Sequence, residues 1–117
     1  MHSQTNETIT AVPGISAGHW THESGTTGTT VILGPPEGMS ASGLVLGGGP
    51  ASREYALLDP ARMMSRIDGV VLTGGSAFGL AAADGAMRWL LEQDRGYETA
   101  GGRVPIVPAA AIFDLMV

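Results

Sequence analysis

Apolar and polar positions alternate in short stretches from Ile9 to His19, placing Ile15, Ala17 and His19 on one side of an extended segment. Turn residues at 23–28 separate this segment from Thr29-Thr-Val-Ile-Leu33, a β-branched run that predicts a second strand. After the turn Gly34-Pro-Pro-Glu-Gly38, the residues Met39, Ala41, Gly43 and Val45 oppose Ser40, Ser42, Leu44 and Leu46. That pattern predicts a third strand, ending at Gly47-Gly-Gly49. Asp59-Pro60 reads as an N-cap with proline at the first helical position, opening a short helix through about Arg66. Ile67–Thr73 is a compact apolar run suited to a buried strand. Gly74-Gly75-Ser76 then leads into a helix over Ala77–Gln93, with Ser76 as its cap and Leu80, Ala83, Met87, Leu90 and Leu91 at helical spacing. A loop over 94–102 precedes a short strand at 103–107, and Ala109–Val117 reads as the start of another buried segment.

Composition narrows the classes. Among 117 residues, 44% are hydrophobic and 15% charged, a balance that excludes a disordered tail or a polyelectrolyte arm. Eighteen glycines, about twice the usual share, imply many tight turns and close backbone approaches. Six arginines, scattered at 53, 62, 66, 88, 95 and 103, face 11 acids, and the net charge is −5. Clustered cations are what bind a phosphate backbone, so neither nucleic acid nor an anionic membrane is an expected partner. The absence of cysteine removes disulfides, thiolate nucleophiles and iron–sulfur ligation. The first residues show no basic and then apolar leader pattern, and no window reaches the roughly 18 apolar residues of a membrane span. Residues 1–6 are polar and expected to be disordered, and the expected location is the cytoplasm.

The strand, glycine turn and helix start across 70–80 direct backbone N–H groups toward one spot, an arrangement suited to an anion or a developing oxyanion. Three known motifs fail there. A nucleophile elbow needs Gly where Phe78 stands, a dinucleotide fingerprint needs Gly at Ser76, and a phosphate loop needs a Lys. A triad of Ser76, one of His19 or His22, and Asp84 can be written, but a straight helix would put Asp84 about 12 Å along its axis from Ser76. Arg53 and Arg103 are the remaining polar candidates, with Arg103 expected to reach a carboxylate or cover a sheet edge.

Three blocks carry a family resemblance: Val12-Pro-Gly-Ile-Ser-Ala-Gly-His-Trp20, VLTGGSAFGLAAADGAMRWL at 71–90, and GGRVPIVPAAAIFDL at 101–115. Together they closely resemble the N-terminal part of the DmpA-type L-aminopeptidase/D-esterase family, whose relatives include β-aminopeptidases and nylon-oligomer hydrolases. The resemblance implies an α/β (α+β) fold, part of an αββα sandwich like that of N-terminal-nucleophile hydrolases and ornithine acetyltransferases. It implies a precursor that cuts itself, exposing an N-terminal Ser or Thr that serves as nucleophile with its own amino group as base.

In such a precursor the nucleophile and an oxyanion-site asparagine lie beyond position 117. Residues 1–117 are then expected to form an incomplete N-terminal α-chain portion of one hydrolase domain, inactive alone. Gly74, Gly75 and Ser76 match the family's glycine turn and are expected to face the active site. Phe113 stands where several members carry a tyrosine that hydrogen-bonds the reacting carbonyl, a contact phenylalanine cannot donate. No catalytic residue within the chain, no metal and no cofactor are expected. The expected partners are a peptide or small amide substrate, the downstream β-chain segment, and further copies in a homo-oligomer. Two other readings stand beside this one: a non-catalytic binding or assembly module on the same scaffold, and a serine hydrolase using Ser76.

Overall fold

The computed structural model describes residues 4–117. Among the described residues, seven strands and two α-helices form a mixed α+β arrangement: β1 (Ser16–Thr21), β2 (Gly28–Leu33), β3 (Ala51–Arg53), β4 (Gly69–Thr73), α1 (Ser76–Gly79), α2 (Ala82–Glu92), β5 (Tyr97–Thr99), β6 (Gly102–Val104) and β7 (Ala109–Ala111). Five strands make one sheet in the order β1-β2-β4-β7-β3, and β5 and β6 pair as a separate hairpin. β4 and β7 run parallel, and the other pairs are antiparallel. The parallel pair needs a crossover, which α1, α2 and the β5–β6 hairpin supply.

Register sorts the side chains onto two faces. Val31, Val71 and Ala109 align in one row across β2, β4 and β7. Val71 and Ala109 are fully buried and meet Ala83 and Leu90 of α2, with Val107 completing the core. Small residues on α2 let the helix lie close to the sheet, and Leu90 fills the space between. The next row, His19, Thr30, Leu72, Ala110 and Ser52, points to the opposite face. It contributes nothing to the core, and Leu72 stands 44% exposed.

The strands read at 29–33 and 67–73 are present as β2 and β4, and the long helix is present in two pieces. Ser76 does not cap it, since the cap position is Gly75 and no side chain caps that end. Around Leu80 and Ala81 the chain tightens into three-residue bonds, Leu80 N–H to Ala77 O and Ala81 N–H to Phe78 O, so two helices replace one. The expected strand at 39–46 is absent beyond a single bridge between Met39 and Ile67. Leu44 and Leu46 are each 76% exposed, and this stretch has no apolar face turned to the core. The helix expected at 60–66 does not form either. Asp59 Oδ1 accepts from the Ala61 amide at 2.9 Å and its carbonyl accepts from the Arg62 amide at 2.9 Å, which makes one turn that no buried stripe extends. A 3-10 turn at Tyr55–Leu58 precedes it instead.

The 103–107 strand is shifted: Gly102–Val104 pairs with Tyr97–Thr99, inside the expected loop, while the edge of the main sheet is taken by Ala51–Arg53. At the amino end, Ile9–Ala11 is a 3-10 turn and the strand begins only at Ser16. The expected disorder of 1–6 lies outside the described residues for 1–3. Asn6 accepts from the Thr8 amide at 3.0 Å. Past Ala109, Ile112, Phe113, Leu115, Met116 and Val117 are exposed rather than buried. Among the described residues no helix is long and apolar enough to cross a membrane.

Arg53 on the edge strand reaches across to α2, pairing with Asp84 at 2.6 Å and donating to the Leu80 carbonyl at 3.4 Å. Asp84 is two-thirds exposed, so Asp84→Asn is expected to change stability by less than about 1 kcal/mol, measured by urea unfolding.

Candidate functional site

The site begins where β4 ends. Thr73 turns its hydroxyl into the sheet, 2.7 Å from the Thr29 hydroxyl, and the chain then reverses through Gly74-Gly75. Gly75 and Ser76 both adopt left-handed backbone, with φ of 89° and 57°, a conformation glycine takes freely and serine does not. A side chain at Gly74 would collide with Asp114 and Thr27, and one at Gly79 would collide with the Gly74 carbonyl. The sequence needs glycine at these points because three segments meet with no room between them.

Hydrogen bonds show which segments. The Gly74 amide donates to Gly28 O at 2.8 Å, the Gly75 amide to Asp114 Oδ1 at 2.7 Å, and the Ser76 amide to Ile112 O at 2.9 Å. The Ile112 amide returns a bond to Thr73 O at 2.9 Å. The turn therefore differs from the expected anion cradle: the amides of Gly74, Gly75 and Ser76 are all bonded within the chain. They act as a joint between β4, the start of β2 and the segment after β7.

That joint brings the glycine turn and Phe113 together. Phe113 lies between Ile112 and Asp114, the two residues that grip the turn, and is 66% exposed beside it. Gly74, Gly75, Ser76 and Phe113 thus share one neighbourhood at the carboxyl ends of the parallel strands β4 and β7, where ligands gather in parallel sheets. A cavity of about 370 Å³ opens there, bounded by Thr27, Thr30, Leu72, Ala110, Ile112 and Asp114. Among the described residues, Asp114 is its one charged lining residue. Hydrogen bonds from the Thr27 hydroxyl and the Gly75 amide hold the Asp114 carboxyl below the ordinary aspartate value of 3.8, against the opposing effect of burial.

The Ser76 triad does not assemble. His19 Nδ1 is 2.8 Å from the Thr30 hydroxyl, His22 Nδ1 is 2.9 Å from the Ser24 hydroxyl, and Asp84 pairs with Arg53. Arg103 donates to Asp94 at 3.0 Å and to Gly96 O at 3.1 Å, bracing the β5–β6 hairpin away from the joint. It also borders a second cavity, of about 440 Å³, with Arg66 and buried Asp68. Asp68 accepts from the Ile106 amide at 2.8 Å.

Sequence reasoning passed over Asp114 and Thr27. The available signal was that Asp114 is the lone charge between Arg103 and Val117, set in an otherwise apolar stretch.

A mixed α+β sheet with a tight glycine joint at the ends of its parallel strands is a scaffold compatible with a peptidase. The model of peptidase family S58 matches residues 7–117, and the chain belongs to that family. It is 49% identical over 117 aligned positions to an uncharacterized aminopeptidase of Mycobacterium leprae, with 93% of this chain and 32% of the relative covered. An uncharacterized aminopeptidase of Mycobacterium tuberculosis strain H37Rv is 48% identical, with 93% of this chain and 34% of the relative covered. The chain spans about a third of the length of these relatives.

Proposed function

We propose that this chain is the N-terminal portion of an aminopeptidase of the S58 family, acting on peptides or small amides through a Ser or Thr nucleophile supplied by residues beyond Val117. The observation that carries the reading is family membership over 7–117, together with the joint that gathers Gly74, Gly75, Ser76 and Phe113 beside one cavity. In this reading the precursor cuts itself, and the downstream segment lies on the sheet face that bears Leu72, completing an αββα sandwich. The chain supplies a wall of the substrate site and no reacting group. Because Phe113 cannot donate a hydrogen bond, polar stabilisation of the reacting carbonyl falls to the downstream residues.

Chromogenic aminoacyl amides test this directly. The full-length protein is expected to turn them over and to appear as two chains on denaturing gels, while residues 1–117 alone remain inactive. Turnover by residues 1–117 would overturn the placement of the nucleophile. A full-length protein that neither self-cleaves nor hydrolyses the amides would favour the non-catalytic binding module.

A further inference from the structure

Asp114 is tied to parts of the chain far from it in sequence. Its Oδ1 accepts from the Gly75 amide, 39 residues earlier, at 2.7 Å, and its carboxylate lies beside the Thr27 hydroxyl. Gly74 is confined between the same two side chains, with no space for a Cβ. The next residue back is Phe113, and the residue before that anchors the Ser76 amide through its carbonyl. Two bonds, one on each side of Phe113, therefore hold the backbone of that residue against the glycine turn.

We infer that Asp114 is the positioning residue of the candidate site, holding the glycine turn and the backbone of Phe113 in register at the edge of the cavity beside β4 and β7. The inference rests on the reading that these residues face substrate, but the bond itself exists independently of that reading. An amide bonded to a carboxylate is stronger than one bonded to a neutral oxygen, so the charge stiffens the joint. Among the described residues, the lining of the adjacent cavity holds no other charged side chain to which Asp114 could turn. Thr27 supplies the second contact and makes the carboxylate bridge all three segments.

Two measurements test this, and they fail separately. In ¹⁵N–¹H spectra of this chain, the Gly75 amide resonance is expected to follow a single titration with a midpoint below 3.8, and Thr27→Val is expected to raise that midpoint. Asp114→Asn, which keeps an acceptor oxygen, is expected to hold the spectrum's dispersion but abolish the titration. A Gly75 resonance that ignores acid, or that still titrates in Asp114→Asn, overturns the contact. In the full-length protein, Asp114→Ala is expected to lower kcat about tenfold or more with KM changed less than about threefold, and Asp114→Asn to recover most of kcat. Unchanged kcat in Asp114→Ala, or an effect confined to KM, overturns the positioning role. Should the wild-type full-length protein hydrolyse no aminoacyl amide, the aminopeptidase reading falls, and the spectra still decide whether Asp114 governs the joint.

Discussion

Gly79→Ala is expected to unfold most of this chain at room temperature, or to lower its melting temperature by roughly 10–20 °C, as read by circular dichroism. Alanine is ordinarily the better helix former, and propensity alone would credit it with about 1 kcal/mol. Here the added Cβ would occupy the space of the Gly74 carbonyl, a backbone atom fixed within the joint that binds β2, β4 and the post-β7 segment. Relief requires moving α1 or reopening the Gly74-Gly75 reversal, at a cost of about 3 kcal/mol or more. Gly85→Ala supplies the control. It lies within α2 with nothing near the position of its Cβ, and is expected to stabilise the chain by roughly 0.5–1 kcal/mol. Equal effects of the two substitutions would show that the joint yields without cost.

The contrast between these glycines marks how far the sequence could be read. The turn at Gly74-Gly75 was legible because a β-branched run, two glycines and a helical pattern follow one another directly. Its role was not, since the partners of its amides are Gly28, Ile112 and Asp114, brought in by tertiary pairing. Strands β2 and β4 were legible through their own apolar runs. Strands β3, β5 and β7 are three residues each, too short for a period, and exist only through their pairing partners. The alternation at 39–46 misled because period alone does not supply a partner. Gly43 sits against Tyr55 and Leu58 of the 3-10 turn, which draws that stretch out of the sheet. Phe113 is singled out by resemblance to the family, whereas the role of Asp114, adjacent to it, depends on contacts with Thr27 and Gly75 that no local pattern announces.

The sheet's two faces yield the second large effect, through neighbours on one strand. Val71 is fully buried beneath α2, and Val71→Asp places an unpaired carboxylate among Ala83, Leu90 and Ala109. Burying a charge without a partner costs several kcal/mol, so this variant is expected to be unfolded both in this chain and in the full-length protein. Leu72 points the other way and is 44% exposed. Leu72→Asp is therefore expected to change the stability of this chain by less than about 1 kcal/mol. In the full-length protein the expectation reverses. If the downstream segment covers the face formed by Leu72, Thr30 and Ala110, the same carboxylate becomes buried there, and soluble yield, self-cleavage and turnover are all expected to fall at least about tenfold. A full-length Leu72→Asp protein with normal yield and turnover would show that this face remains open to water and would overturn the proposed placement of a second layer on it. The comparison needs no assumption about which residue is the nucleophile, because it asks only whether a side chain exposed in this chain is covered by the proposed downstream segment.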